Sequence, residues 1–490
     1  MKKMIIIGAG VSGLSVGCYA QMNGYDTEIY EMHNISGGVC TSWRRGDYLF
    51  DHCLHWVLGS NETSSLYPIF EELGVARSIR FYFTERFRKI EVNGKTLIVY
   101  TNIDKFEREL SNIFPDEKKQ IQKIIRLVRF YTKFRPPMDS DFGQFSFLDI
   151  LKMLPYIPSF LKLTKITIED YLNRFKNPYL RELLYQMFPV KSMPALMVIV
   201  PLAYFHNKEG GYPIGGSLNF SRMIEKRYKN LGGKIFYNSK IIKIITSGTK
   251  VIGVKTEKGE NIEADIVISA CDGHTTLYEM LDGRFITPEI KKMYENPVLW
   301  PPIISISLGV NRDLTGEVEI NSFKLEKPLV IGGREVNWLS YVHYCHDSAF
   351  APAGKSVLKT QIETDYSYWK EIYKDKNSYQ LEKKKVLDVY LNELEKKLPG
   401  IKNQIEEIDI ATPVTWERYT GNWQGSYEGW LPTVKLFGKF LPRELPDLNN
   451  FYMTGQWTFP GGGVPMCMSQ ARRLIKYICK KDRIKFVVKE

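Results

Sequence analysis

Residues 1–31 read MKKMIIIGAG VSGLSVGCYA QMNGYDTEIY E, and this stretch decides the fold. Met4–Ile7 is an apolar run rich in β-branched residues, which is typical of a strand buried on both faces. Leu14–Asn23 has a helix-compatible pattern that stops before Gly24, a residue type favoured just past a helix end. Asp26–Tyr30 follows as a second strand. The stretch therefore predicts a strand–helix–strand unit.

The turn between the first strand and the helix has the spacing G-x-G-x-x-G, formed by Gly8, Gly10 and Gly13. Gly8 permits a tight turn, Gly10 lets the backbone approach a pyrophosphate, and Gly13 lets the helix lie close to the strand. Backbone N–H groups at the helix start offset phosphate charge. Glu31 comes 18 residues after Gly13, where its carboxylate can accept hydrogen bonds from an adenosine ribose. Together these features predict dinucleotide binding. The alternative, a glycine-rich turn in an ordinary α/β unit, leaves Glu31 unexplained.

The composition is that of a globular protein with two or three domains: 490 residues, 44% hydrophobic and 25% charged. The net charge is +12, but no dense basic block carries it. This argues against nucleic-acid binding and favours a diffuse attraction to an anionic membrane or an acidic substrate. Seven cysteines without a C-x-x-C pair, and no signal-peptide pattern, predict a cytoplasmic protein. The longest apolar run, Pro194–Phe205, has twelve residues and is too short to span a membrane.

The chain continues with a glycine pair, Gly37–Gly38, six residues beyond the acid. A long, bent dinucleotide such as FAD needs such a stretch as it runs toward its flavin end. The following loop holds His52, Cys53 and His55. These side chains fit either a metal site or a loop that lines a cofactor or substrate pocket. No second ligand pair stands at a recognised spacing, so the pocket loop is favoured.

The sequence pattern of residues 80–205 predicts a helical insertion that contains aromatic and proline-rich stretches. Within it, Phe147–Leu161 is apolar, is interrupted twice by proline and is flanked by lysines. One interpretation is a membrane-dipping or lid segment over the entrance for an apolar substrate. The other is ordinary core packing of a helical subdomain.

An α/β pattern returns at Gly215–Gly216, and alternating strands lead to Asp265–Ala270, a buried strand predicted to rejoin the main sheet. The first domain is therefore predicted to be discontinuous. A second excursion over residues 285–440 includes a strand at Ile303–Val310 and an aromatic stretch at Thr412–Trp430.

The last block holds a strand, Phe451–Thr454, then Gly455–Gln456, then Gly461–Pro465 before a final helix. Three glycines ahead of a helix with proline in its first turn form a second helix N-terminus suited to an anion. Aimed at the pyrimidine edge of a flavin, this helix end would stabilise the negative charge of the reduced ring.

These blocks, in this order, resemble the FAD-dependent family of phytoene desaturases, carotenoid desaturase/isomerases and retinol saturases, within the flavin amine oxidase-like superfamily. The resemblance covers nearly the whole chain, and Thr412–Pro413 with Tyr419 is similar to a further segment of that family. Gln456 stands where amine oxidases usually carry Glu.

The resemblance implies an α/β fold with a Rossmann-like FAD-binding domain of the glutathione reductase type, interleaved with an α+β substrate domain and a helical lid. The implied FAD-binding domain comprises residues 1–80, 206–285 and 441–490, with 81–205 as the helical lid part of the substrate domain and 286–440 as its α+β part. The implied cofactor-binding residues are Gly8, Gly10, Val11, Ser12, Gly13, Glu31, Gly37, Gly38, Thr41, Ser42, Ile241, Gly455, Gln456, Gly462, Gly463, Val464 and Pro465.

The leading functional hypothesis is hydride transfer between FAD and a C–C bond of a hydrophobic isoprenoid or polyene, by desaturation or saturation, with no metal. His55 is the expected acid/base near the flavin. The alternatives are an amine or porphyrinogen oxidase and a redox-neutral, flavin-dependent isomerase. Only one dinucleotide fingerprint is present, so oxygen, a quinone or a transiently bound NAD(P)H is the expected electron partner. A cytoplasmic protein, peripheral on the membrane, is expected.

Overall fold

A computed structural model describes residues 1–139, 145–188 and 190–489 of the chain. The strands, in chain order, are β1 Lys3–Ile7, β2 Asp26–Tyr30, β3 Ser42–Arg45, β4 Tyr48–Asp51, β5 Val57–Leu58, β6 Phe81–Tyr82, β7 Arg86–Val92, β8 Lys95–Tyr100, β9 Gly210–Pro213, β10 Lys234–Phe236, β11 Ile241–Ser247, β12 Lys250–Thr256, β13 Asn261–Glu263, β14 Ile266–Ser269, β15 Ile303–Val310, β16 Ile320–Ile331, β17 Arg334–His343, β18 Ser356–Glu363, β19 Ile405–Ala411 and β20 Phe451–Met453.

The α-helices are α1 Val11–Met22, α2 Tyr67–Glu72, α3 Ile103–Ile113, α4 Lys118–Tyr131, α5 Phe147–Met153, α6 Ile157–Lys165, α7 Ile168–Leu172, α8 Pro178–Tyr185, α9 Leu196–His206, α10 Gly216–Asn230, α11 Pro288–Glu295, α12 Tyr366–Ile372, α13 Lys376–Lys397, α14 Pro413–Thr420 and α15 Val464–Lys481. A π-helix covers Thr275–Met280, and short 3₁₀ turns cover Pro115–Glu117, Leu154–Tyr156, Ile401–Gln404, Trp423–Gly425 and Gln456–Thr458.

The sheet that carries the first strand is parallel and five-stranded, in the order β10-β2-β1-β14-β20. Its centre is β1, whose Met4–Ile7 side chains are all buried, as their apolar run predicts. The predicted strand–helix–strand unit is confirmed, and Asp265–Ala270 does return to this sheet, where β14 pairs with β1. Because α1 packs against α10 and α15, segments from the start, middle and end of the chain share one core.

A second, seven-stranded sheet has the order β19-β15-β18-β17-β16-β7-β8. The strands β7 and β8 correct the prediction that residues 80–205 are helical. Their apolar residues alternate, and they are joined at Asn93–Gly94, where both residues have positive φ (47° and 75°). An Asn-Gly pair suits the tight turn of a hairpin because both residues tolerate the left-handed conformation. β7 then pairs in parallel with β16, which attaches this hairpin to the sheet of the second excursion.

The remainder of the insertion is helical, and α3, α4, α8 and α9 share a core with the inner faces of β7 and β8. In the first part of Phe147–Leu161, no residue of α5 is buried, and the partly buried Met153 is its one side chain that packs against this core among the described residues. In the second part, Tyr156 and Phe160 pack against this core while partly buried, and Leu163, farther along α6, is buried in it. Among the residues that the structure describes, no helix combines the length and apolar character that a membrane crossing requires.

Candidate functional site

The glycine turn after β1 has the predicted geometry. Gly8 has φ +95°, and its N–H donates to Tyr30 O at 2.8 Å, which fixes the turn against β2. A Cβ on Gly13 would lie 2.0 Å from Gly8 O. The first turn of α1 therefore lies directly on the strand end, and only glycine fits at residue 13.

Gly10 differs, because a Cβ there would meet only Gly37 O, at 4.0 Å. Gly10 forms an isolated parallel bridge with Gly37, whose N–H donates to Ala9 O at 2.9 Å. A Cβ on Gly38 would lie 3.4 Å from Gly10 Cα. The two predicted glycine blocks thus form one cradle of bare backbone at the N-terminus of α1.

Three buried hydroxyl groups near this cradle have no hydrogen-bond partner among the described residues: those of Ser12, Thr41 and Thr454. Buried polar atoms are nearly always satisfied, so unpartnered hydroxyls point to a ligand. A Cβ on Gly455 would lie 3.2 Å from Ser12 Oγ, so the first and last blocks of the sequence meet here. The residues present fit the sugar and phosphate groups of FAD.

A cavity of about 560 Å³, here called the large cavity, begins at Glu31 and follows Gly38, Thr41 and Ser42. This volume lies within the roughly 300–1,000 Å³ of small-molecule sites. Its opposite wall includes Tyr373 and residues of α13, β19 and α14, among them the basic residues Lys376, Lys383 and Arg418. The cleft is therefore suited to an anionic ligand.

Glu31 is buried at the end of β2, beside this cavity. Its Oε2 accepts from Ala9 N–H at 2.7 Å and its Oε1 from His33 N–H at 2.8 Å. Burial raises the pKa of Glu31, while these backbone bonds lower it. Each carboxylate oxygen keeps a lone pair for a further donor, as ribose binding requires.

The C-terminal glycines bend the chain into the start of α15. Gly461, Gly462 and Gly463 have φ +111°, +48° and +88°, and Gly463 is the N-cap. Val464 and Pro465 form the first turn of α15, as expected, and Gln456 opens the preceding 3₁₀ turn.

Glu428 is a residue that the sequence analysis did not single out. A Cβ on Gly462 would lie 2.5 Å from Glu428 Cγ, so this side chain packs on the glycine loop. Burial raises the pKa of Glu428 to about 8, which leaves the carboxyl group protonated at neutral pH. In the sequence, the one indication of a role for Glu428 was its position within the predicted aromatic stretch Thr412–Trp430.

The loop that follows β4, His52–Trp56, borders a second, small cavity of about 40 Å³. His52 stacks on Trp43, a wall residue of the large cavity, with ring centroids 4.6 Å apart. His55 and Trp56 line the small cavity. Burial lowers the pKa of both histidines well below the usual range, so both rings are neutral at pH 7.

Among the described residues, no group of His, Cys, Asp or Glu is arranged to hold a metal ion. Ile241 is not in the lining of the large cavity; it begins β11 and is buried in a hydrophobic core. Its role in cofactor binding stays a prediction.

The parallel sheet, the glycine cradle and the unpartnered hydroxyls together define a dinucleotide-binding protein of the α/β class. A family model described as flavin containing amine oxidoreductase matches residues 11–474. The chain belongs to this family. It is accordingly an FAD-dependent oxidoreductase, and the predicted resemblance is confirmed.

Prolycopene isomerase 1, chloroplastic, from an Oncidium hybrid cultivar is 26% identical over 494 residues, which cover 94% of this chain and 81% of the relative. The 4,4′-diapophytoene desaturase (4,4′-diapolycopene-forming) of Methylomonas sp is 24% identical over 519 residues, covering 99% and 96%. An oxidoreductase from Methanosarcina mazei has a similar solved structure, with a TM-score of 0.62 and 18% identity over 96% of this chain and 98% of the other. This last likeness concerns the fold alone.

Proposed function

We propose that the chain transfers a hydride between FAD and a C–C bond of a long, apolar isoprenoid or polyene. Relatives named as a carotenoid isomerase and a carotenoid desaturase, similar over nearly the whole chain, support this substrate class. A water-insoluble substrate has to reach the site from a lipid phase, so the protein needs an apolar surface to receive it.

The exposed face of α5 and α6 is the observation that carries the proposal. Phe147 is 77% exposed and Leu148 is 63% exposed, although α5 has an intact N-terminal capping box. The other exposed apolar residues of this face are Ile150, Leu151, Leu154, Ile157 and Leu161. An apolar patch on a soluble surface marks an interaction site, and lysines at the ends of both helices suit anionic lipid headgroups. We propose that this face rests on a membrane and admits the substrate.

The cofactor-binding roles of the predicted residues belong to the proposal. The cradle of Gly8, Gly10 and Gly13 with Gly37–Gly38 would hold the pyrophosphate, and Glu31 the ribose. The C-terminal loop would face the flavin. The proposed domain division remains 1–80, 206–285 and 441–490 for FAD, with 81–205 and 286–440 forming the substrate domain of the glutathione reductase-type arrangement; the pairing of β7 with β16 supports joining the last two.

FAD, when bound, supplies the two-electron chemistry. The chain supplies position and the proton. His55, a neutral ring that lines the small cavity, is the proposed group that takes up or gives the proton at the neighbouring carbon. The single dinucleotide fingerprint is assigned to FAD, so the electron partner is a visiting molecule: oxygen, a quinone or a nicotinamide nucleotide.

The relative named as an isomerase favours a second candidate, a redox-neutral isomerisation at the same site. The two reactions differ in electron balance. Isomerisation needs reduced FAD but consumes no stoichiometric donor or acceptor, whereas desaturation and saturation consume one per product.

The test is to incubate the FAD-loaded protein with vesicles that contain acyclic polyenes of different desaturation levels, with and without a quinone or NADPH. Products are separated by chromatography and identified by their visible spectra and mass. We expect a change of two hydrogens per product. A cis–trans change without a mass change would assign the isomerase. Turnover of an amine with release of peroxide, and of no polyene, would contradict both. Full turnover in His55→Ala would remove His55 from the reaction.

A further inference from the structure

Lys359 is a lysine on an inner strand of the second sheet, and it is 1% exposed. It lies on β18 opposite Ser307 of β15. In the part of the chain that the structure describes, its ammonium group forms no ion pair. A buried charge without a partner is costly, so lysines are rarely kept in such places without a function.

The nearest polar partner of Lys359 is the predicted acid/base. Its Nζ lies 3.5 Å from His55 Nε2 and 5.5 Å from the ring centre of Tyr344. The buried carboxylate of Asp51 is occupied elsewhere, because it accepts from Ser217 Oγ at 2.6 Å and from Cys53 N–H at 3.0 Å. Lys359 is therefore directed toward His55 and not toward a carboxylate.

The small cavity beside this pair contains further unsatisfied groups. Among the described residues, His55 Nδ1, the hydroxyls of Tyr212 and Tyr344, and both ring nitrogens of His346 are buried without a partner. All four residues line the cavity, whose volume of about 40 Å³ exceeds the roughly 10–15 Å³ that one water needs. A few ordered waters would satisfy these atoms and connect them.

We propose that Lys359 and His55 form one proton-sharing pair, linked to the tyrosines and His346 through water, and that Lys359 is the positioning residue that stores the proton His55 delivers. This inference rests on the proposed function.

The charges around the pair determine when it releases its proton. Burial lowers the pKa of Lys359 to about 8, opposed by Asp51 and Cys53. Burial also lowers the pKa of His55, and the charges of Lys359 and Arg88 lower it further. A side-chain hydrogen bond with Gln361 raises it in part. The proton therefore resides on Lys359 below pH 8 and leaves the pair above it.

The chemistry balances in both directions. In desaturation, one carbon loses a hydride with both electrons to the flavin cofactor, the neighbouring carbon loses a proton to the neutral pair, and the bond between them becomes double. In saturation, one carbon of the double bond receives the hydride, and the ammonium of Lys359 supplies the proton through His55 to the other carbon. Saturation should therefore fall above pH 8, and desaturation should rise.

The first test uses ¹⁵N-histidine NMR of the FAD-loaded protein, with the His55 signal assigned by its loss in His55→Gln. We expect the His55 resonance to shift in a step near pH 8 as Lys359 deprotonates. The step should vanish in Lys359→Met and in Lys359→Arg, because methionine has no charge and arginine does not release its proton. Lys355→Met, which removes an ammonium group of the same strand region that pairs with Glu406, is the matched control and should keep the step.

A step that persists in both Lys359 variants, or is absent from the wild-type protein, would contradict the proposed Lys359–His55 pair.

The second test is the pH profile of kcat/KM. The limb near pH 8 should disappear in Lys359→Arg, while KM changes less than kcat. If no polyene is turned over at any pH, the proposed function fails, and the NMR step still decides whether the pair exists.

Discussion

At the scale of single residues, Gly10 and Gly13 have different physical roles although they share one motif. Gly13 is required by the protein itself, because its Hα side faces Gly8 O. Gly10 has room for a methyl group, so the free protein does not require glycine there. If a pyrophosphate occupies the space beside Gly10, glycine is required there for ligand binding and not for folding.

Gly10→Ala should therefore change the free energy of unfolding of the FAD-free protein by no more than about 1 kcal/mol, the size of an N-cap effect. It should weaken FAD binding at least about tenfold, or 1.4 kcal/mol. Gly13→Ala should destabilise the FAD-free protein by about 3 kcal/mol through overpacking. Urea unfolding and flavin fluorescence titration measure the two quantities. Equal FAD affinity in Gly10→Ala would contradict the cradle.

Because the pKa of Lys359 is lowered in the folded protein, we expect the free energy of unfolding to depend on pH through this residue. Its pKa falls from 10.5 unfolded to about 8 folded. Between these values the unfolded chain binds more protons at this residue, so the Lys359 contribution to the free energy of unfolding rises with pH, by at most about 1.4 kcal/mol per pH unit. Below pH 8 the contribution is constant.

The difference in the free energy of unfolding between the wild-type protein and Lys359→Met isolates this contribution, since the tyrosines and cysteines cancel. We expect the difference to grow in favour of the wild-type protein from pH 8 to pH 10 in urea titrations. A difference independent of pH would show that Lys359 has an ordinary pKa in the folded protein.

At the scale of elements, α5 is unusual because it is a regular helix with no buried side chain. Apart from Met153, which is partly buried against the helical core, its apolar residues are exposed. We therefore expect these exposed residues to have a small effect on folding and a large effect on binding to a lipid surface. Each leucine moved from water into an apolar phase contributes about 1.5–3 kcal/mol. The proposed membrane role of this helix can therefore be tested separately from its role in folding.

The double variant Leu148→Asp/Leu151→Asp should reduce binding to vesicles of anionic and zwitterionic lipid by tenfold or more in a flotation assay. Its free energy of unfolding should stay within about 1 kcal/mol of the wild-type value, because exposed substitutions have small effects. Leu381→Asp is the matched control: Leu381 is also exposed, but it lies on α13. Equal loss of vesicle binding in the control would show that added negative charge, and not the α5 face, is responsible.

At the scale of the whole molecule, the sequence predicted what depends on local pattern. β1, α1, β2 and the return of β14 followed from strand and glycine patterns, because a fully apolar strand in an α/β chain has few alternatives. The hairpin β7–β8 was missed, although alternating residues around Asn93–Gly94 are a hairpin signal.

The remainder of the candidate site could not be predicted from spacing. His55 and Lys359 are 304 residues apart, and their contact depends on the register of β18 against β15 and on the path of the loop after β4. Neither is a sequence-local property. No local pattern marked Lys359, because β18 (SVLKTQIE) contains other polar residues besides this lysine. Glu428 likewise acquires its raised pKa only from the folded glycine loop.

Hydride transfer between FAD and a polyene is tested most directly by an anaerobic visible spectrum of the FAD-loaded protein mixed with polyene-containing vesicles, once oxidised and once reduced by dithionite. We expect the visible flavin band to bleach or to return, with one flavin changed per two-hydrogen change in the polyene. NADH and NADPH, added separately, identify the electron partner by bleaching the band. No flavin band after incubation with FAD, or a band that responds to amines and to no polyene, would contradict hydride transfer between FAD and a polyene.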